Sequence, residues 1–412
     1  MISLEKVLSA QNMLLACKRV RVNKGAPGVD GMTVDELEGH FRCHWASIYA
    51  HIREGRYIPS PVKRVDIPKP DGGTRMLGIP TVQDRLIQQA IAQVLVEHFD
   101  PTFSEFSYGF RPGRSAHQAI EQTQRYIAGG CSWIVEMDLA KFFDTVNHDR
   151  LISVLERHCR DKMLIRLIRR YLRTGILADG LVTPRDEGTP QGSPLSPILS
   201  LIVLDELDKY LEKRGLKFCR YADDCNIYVG SERARKRVLE NTIKFIEETL
   251  KLRVNRDKSG VFRPRRAKFL GYTFVGKTGQ PLVHPKSFKR LKDKLRAVFY
   301  RARGGSLFRT IRVLNAILRG WRQYFKLDTR KGGEALDIHI RRHLPKSVWI
   351  AWKRPKTRER EPRRRGLDKE RAWKSANNGR GAWWNAGALH MRDAFPKSFF
   401  RRQGLYSLLE MR

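Results

Sequence analysis

The stretch that most restricts how this chain can fold is Phe218–Val229, where apolar residues flank the pair Asp223-Asp224. The pattern reads as strand, tight turn at Asp223-Asp224, and strand, since Asp tolerates turn geometry. Two adjacent carboxylates on one turn repel each other, and neither has a flanking cation in sequence. A divalent metal would remove that cost, and hard oxygen ligands with open water positions suit Mg²⁺. Taken alone, the pair fits a polar hairpin turn at least as well.

A second acid shifts the balance. Ser132–Asp138 (SWIVEMD) reads as a strand ending in Asp138, followed by Leu139-Ala140-Lys141-Phe142-Phe143-Asp144. An acid at a strand end beside a hairpin tip can complete a two-metal cluster with Asp223 and Asp224. Nucleotidyl transfer asks for little beyond such positioning and charge neutralisation.

Charge agrees with a polyanionic partner. Among 412 residues, 80 Lys and Arg stand against 43 Asp and Glu, a net of +37. A field of that size repels itself unless it lies beside something such as nucleic acid. The apolar share, 41%, is ordinary for a globular protein, so several packed domains are expected rather than wholesale disorder. The six cysteines form no C-x-x-C pair and read as reduced thiols. Neither a signal-peptide pattern nor a membrane-length apolar run is present. We therefore expect a cytoplasmic protein with no membrane partner.

The pattern of elements predicts an α+β fold. Residues 1–60 read as helices interrupted by the turn-rich Asn23–Gly31. Val62–Pro68 and Met76–Ile79 read as a hairpin around Pro70-Asp71-Gly72-Gly73, and Thr81 with Asp84 opens a helix. Leu151–Leu172, Ile198–Leu211 and Val238–Leu250 read as helices, and Lys268–Phe274 as a strand. After about residue 285 the apolar stripes become wholly helical, with Gly304-Gly305 as a turn. From Lys353 onward the chain is strongly basic, with Trp373, Trp383 and Trp384 interleaved; such a stretch can contact phosphates and stack on bases.

In order, Asp138 with Phe142-Phe143-Asp144, then Gln191–Pro197 (QGSPLSP), then Tyr221-Ala222-Asp223-Asp224 resemble the motif set of reverse transcriptases. Gly25–Gly31 (GAPGVDG), Ser107–Ser115 (SYGFRPGRS) and Arg319–Lys326 (RGWRQYFK) resemble the branch encoded in group II introns. The resemblance implies a right-hand polymerase with fingers and palm, an antiparallel palm sheet with helices, and a helical thumb. The domains would be 1–60, an N-terminal extension with a template-contacting loop; 61–285, fingers and palm; 286–352, thumb or maturase domain; and 353–412, a small basic DNA-binding region.

The same resemblance implies roles. Asp138, Asp223 and Asp224, with the Leu139 carbonyl, would hold two Mg²⁺ ions, with Mn²⁺ able to substitute. Phe143 would select dNTPs over rNTPs by crowding a 2′-hydroxyl. Gln191, Gly192, Lys69, Arg75 and Lys258 would contact the incoming nucleotide. Phe269-Leu270-Gly271-Tyr272 would form the primer grip. Partners would be an RNA template and intron RNA, a DNA primer or target, and dNTPs, in an intracellular ribonucleoprotein that assists splicing and intron mobility. The chain reads as a short form without a C-terminal endonuclease, so its primer is expected from elsewhere. Two alternatives stay open: a domesticated reverse transcriptase in defence or repair, and an RNA-binding splicing factor without polymerase activity.

Overall fold

The computed structural model describes residues 2–408 apart from 69–71, 179–180, 184–186, 190–191, 303–305 and 329–331. The chain divides into two compact units, Met1–Phe269 with Gly276–Gly279, and Leu270–Val275 with Gln280–Arg412.

The first unit opens with α1 (Leu4–Leu8) and α2 (Ala10–Asn23). Lys24, in the left-handed conformation, ends α2, because its backbone no longer continues the helical path. The turn-rich segment that follows leads into α3 (Leu37–Arg53). Its Gly28 lies where a Cβ would meet the Thr81 backbone at 2.7 Å, so only glycine fits against the next helix start. Then come β1 (Val62–Pro68) and β2 (Thr74–Ile79), antiparallel from Lys63–Ile79 to Pro68–Thr74. Part of their connecting turn, Pro70-Asp71, lies outside the described residues.

Helix α4 (Val82–Phe99) is capped by Thr81, whose Oγ1 accepts from the Asp84 amide at 3.1 Å. Its Leu86, Ile87, Ala90, Ile91, Val94 and Leu95 are all buried, which makes α4 a central post of the main core. A capping box between Ser115 and Gln118 starts α5 (Ala116–Ala128). Strand β3 (Trp133–Met137) precedes the single turn α6 (Phe142–Thr145). The expected Leu151–Leu172 helix is instead two, α7 (His148–His158) and α8 (Lys162–Arg173). The break has a local cause: Asp161 accepts from the amides of Met163 and Leu164 and so caps a new helix.

Next, β4 (Ile176–Ala178) and β5 (Leu181–Thr183) extend the β1–β2 sheet in the order β2-β1-β4-β5. Helix α9 (Ser196–Lys213) is buried along most of Ile198–Leu211. Strands β6 (Lys217–Tyr221) and β7 (Asp224–Val229) form the anticipated acidic hairpin. Its two-residue turn is Ala222-Asp223 rather than Asp223-Asp224: Asp224 already pairs with Tyr221 and starts β7. Helix α10 (Glu232–Lys244) follows, and the short β8 (Gly260–Phe262) completes a wholly antiparallel sheet in the order β6-β7-β3-β8. Cys225–Val229 are buried without alternation, as expected for a strand covered on both faces.

The second unit begins with the Leu270-Gly271 turn, both residues at positive φ (50° and 84°). The strand expected over Lys268–Phe274 is therefore shorter, β9 (Tyr272–Val275), and pairs with β10 (Gln280–Val283). Three long helices follow, α11 (Pro285–Arg301), α12 (Leu307–Tyr324) and α13 (Gly332–Ala351). The expected Gly304-Gly305 turn lies outside the described residues. The basic segment forms α14 (Pro355–Arg363), α15 (Lys369–Ala376), α16 (Ala382–Gly387), α17 (Leu389–Ala394) and α18 (Lys397–Arg402). Met391, Phe395 and Phe400 share one core with Leu291, Leu314 and Leu344. Apolar burial thus orders this segment despite its charge. Among the described residues no helix is long and apolar enough to cross a membrane.

Candidate active site

Strand register brings the acids together. The last ladder pair of β3 and β7 is Met137 with Cys225. One step further, the same register sets Asp138 opposite Asp224, with Asp223 at the hairpin tip. The loop after β3 is tied to Val254: the Asn255 amide donates to the Asp138 carbonyl and the Ala140 amide to the Arg253 carbonyl, each at 2.8 Å. That bridge runs through the residues on either side of Leu139, so the Leu139 carbonyl lies outside it. The Asp138 amide donates to Ser259 Oγ at 3.0 Å.

The acids act on one another. Burial raises the Asp138 carboxyl above its usual range, Lys258 lowers it, and Asp223 raises it further. Asp224 is accessible to water, yet a dense protein surround weakens its hydration. That desolvation, with Asp223 and Asp138, pushes it up to about 6 against the pull of Lys268 and Lys258. The acids therefore do have cations near them, from distant segments that local sequence could not reveal. Lys268 is held there by its amide, which donates to Glu136 Oε1 at 2.7 Å. Among the described residues no three His, Cys, Asp or Glu side chains stand as a ready metal cage. The donor set of carboxylates plus a carbonyl fits a hard divalent cation, whose charge would offset the mutual repulsion of the acids.

Lys141, at φ 49°, turns the chain from Asp138 into α6, which carries half-buried Phe143. The Phe143 carbonyl accepts from the Thr189 amide. Beside it Gly188, at φ 84°, leaves no room for a side chain: a Cβ would come within 2.7 Å of the Asp144 backbone. His148 Nε2 lies 2.6 Å from the Gly188 carbonyl. The segment leading to Gln191-Gly192 is thus laced to the segment that carries Phe143. Gly192, at φ 105°, packs so that a Cβ would sit 3.1 Å from the Gly78 carbonyl of β2. Arg75 is exposed on β2, and Lys258 is exposed in the loop before β8. Lys69 and Gln191 lie outside the described residues.

Of the Phe269–Tyr272 stretch, Phe269 closes the first unit and Leu270–Tyr272 open the second. Within the second unit the Tyr324 hydroxyl donates to the Leu270 carbonyl at 2.9 Å, and the Tyr272 hydroxyl donates to the Tyr324 carbonyl at 2.6 Å. Ser287 Oγ donates to the Gly271 carbonyl at 3.0 Å. The turn is thus built onto the end of α12, whose last residues belong to the RGWRQYFK stretch.

The family described as reverse transcriptase (RNA-dependent DNA polymerase) matches residues 67–274, and the group II intron maturase-specific domain matches residues 288–366. Protein YkfC of Escherichia coli is 31% identical over 298 residues, covering 62% of this chain and 78% of that protein. The group II intron-encoded protein LtrA of Lactococcus lactis is 35% identical over 248 residues, 60% of this chain; the match spans only 40% of LtrA. Among solved structures, a partial Cas6-RT-Cas1–Cas2 complex aligns with 60% of this chain and 42% of its own, at 26% identity and a TM-score of 0.38.

Proposed function

Because this chain belongs to the reverse transcriptase family, the RNA-directed DNA polymerases, we propose that it extends a primer on an RNA template with dNTPs at Asp138, Asp223 and Asp224. The observation that carries this reading is the β3–β7 register, which sets Asp138 across from Asp224 beside the Asp223 turn. Asp138, Asp223, Asp224 and the Leu139 carbonyl would hold two Mg²⁺ ions. Such ions would supply positive charge that makes the primer 3′-hydroxyl more acidic and offsets the negative charge of the leaving pyrophosphate.

The remaining steps belong to the protein's own groups. Arg75 and Lys69, as cations of the β1–β2 hairpin, bind triphosphate oxygens. Gly192, without a side chain, lets the backbone approach the nucleotide, and Gln191 contacts it. Phe143 lies under the sugar and leaves no space for a 2′-hydroxyl. Lys258, whose charge acts on Asp138 and Asp224, carries a proton toward the departing pyrophosphate. Phe269–Tyr272 hold the primer end.

The match to the maturase-specific domain supports a second role for the helical unit: binding intron RNA to assist its folding, splicing and mobility, with DNA as the eventual target. Primer extension on a primed RNA template with Mg²⁺ and dNTPs tests the polymerase reading. Wild type should extend, and Asp223→Ala should abolish extension while keeping RNA affinity nearly intact. Failure of wild type to extend across a range of salt and metal concentrations would leave an RNA-binding splicing factor.

A further inference from the structure

Behind the acidic turn lies a charge for which the proposed reaction has no use. Arg220, immediately before Tyr221, is fully buried, as are its partners Asp208 on α9 and Ser107. Its Nε donates to Asp208 Oδ1 at 2.7 Å, and Nη2 donates both to Asp208 Oδ2 and to Ser107 Oγ, the latter at 2.7 Å. The remaining nitrogen, Nη1, donates to the Ala222 carbonyl at 3.0 Å. Ala222 is the first turn residue and is held at φ 56°, a conformation that non-glycine residues rarely adopt.

The backbone grips the same place. The Arg220 amide donates to the Phe106 carbonyl, and the Tyr108 amide to the Arg220 carbonyl, each at 2.9 Å. Segment 106–108 therefore runs beside β6 and delivers Gly109 to the turn. A Cβ on Gly109 would lie 2.3 Å from the Ala222 nitrogen and 2.9 Å from the Tyr221 carbonyl carbon.

A fully buried ion pair is weak evidence for added stability, because desolvation opposes the attraction. Its geometry is more telling. Only a guanidinium has enough donors, fixed in one plane, to satisfy a carboxylate, a hydroxyl and a turn carbonyl together. We infer that Arg220, oriented by Asp208 and Ser107 and backed by Gly109, is a positioning residue that holds the Ala222-Asp223 turn in the shape presenting Asp223 and Asp224 to metal. This rests on the proposed metal-binding role of those acids.

The test compares the full-length wild type with Asp223→Ala, Arg220→Lys and Gly109→Ala. Mn²⁺ binding is read by electron paramagnetic resonance, beside primer-extension kcat and KM for primer–template. Far-ultraviolet circular dichroism and RNA affinity verify folding. Gly109→Ala keeps the buried ion pair intact, so it remains informative if Arg220→Lys does not fold. Misplacing groups that orient metal ligands costs about 10–100-fold in affinity or activity. We expect that loss in Mn²⁺ affinity and in kcat for Gly109→Ala, with KM for primer–template unchanged. A folded Arg220→Lys protein with wild-type Mn²⁺ affinity and kcat, or the same result for Gly109→Ala where Arg220→Lys does not fold, would overturn the positioning role alone. Wild-type Mn²⁺ binding that survives Asp223→Ala would overturn the metal-site reading and the positioning role with it.

Discussion

Asp138 stands across from Asp224 one step beyond the Met137–Cys225 pair, and its charge helps push the Asp224 carboxyl up to about 6. In the metal-free protein this group costs stability once it is ionised. The contribution that favours folding is complete below the ordinary carboxylate range, near 4, and is lost as pH rises through about 6. Asp224→Asn should therefore raise the melting temperature in EDTA at pH 7.5, and this gain should shrink toward pH 4. Metal must displace the proton, so below pH 6 the Mg²⁺ concentration for half-maximal extension should rise by about tenfold per pH unit. A Mg²⁺ requirement that stays flat from pH 8 to 5.5 would dissociate Asp224 from metal binding.

Phe143 is held through its backbone, by the Thr189 amide, while its ring is only half-buried. Truncating the ring should widen the site without loosening the loop that carries it. Phe143→Val is expected to raise the kcat/KM ratio for rNTP over dNTP by about tenfold or more, the scale on which a filled pocket discriminates by size. Competitive single-nucleotide extension measures that ratio, and unchanged sugar selectivity would remove Phe143 from the role.

The contrast between Asp138 and Arg220 shows what local sequence makes legible. Strand periodicity and turn chemistry are local, so the three acids can be set on a strand end and a hairpin from SWIVEMD and YADD alone. Arg220 carried a fainter signal: two residues after buried Phe218 on the same strand, it must share that face and needs a buried partner. Nothing nearby identifies Asp208 or Ser107, which arrive through long-range packing. Lys268 is similar, since its approach to Asp224 depends on the chain returning past β8. Strands β4, β5 and β8 have three residues each, too few for alternation to register. The basic tail hides its order because charge dominates its composition, while its core contacts rest on scattered residues such as Met391 and Phe400.

Ser193 follows the Gln191-Gly192 pair and is buried. Its Oγ bonds to Gln88 Oε1 on α4 and accepts from the Leu195 amide at 3.2 Å. Ser193→Ala leaves a buried amide oxygen and a backbone amide without that partner. We expect a cost of about 1–3 kcal/mol in urea unfolding. Because the loop is anchored at this point, KM for dNTP should rise more than kcat falls. A stability loss with dNTP kinetics intact would make Ser193 a packing residue only.

The last residue of α12 shapes the turn assigned to the primer end. The Tyr324 hydroxyl donates to the Leu270 carbonyl, whereas its backbone carbonyl accepts from Tyr272 whichever side chain is present. Tyr324→Phe thus removes one hydrogen bond to the turn and preserves the other, at a cost of about 0.5–1.5 kcal/mol. Gly271→Ala is the harsher change. Its φ is 84°, and a Cβ would meet Phe325 and Ser287 Oγ at 3.2 Å. Both variants should retain RNA affinity, because neither changes a charge. If Leu270-Gly271 hold the primer end, both should extend a mismatched or frayed 3′ terminus less well than wild type, Gly271→Ala the more severely. Equal use of matched and mismatched ends by all three proteins would leave this turn a structural corner of the helical unit and place the primer contact elsewhere.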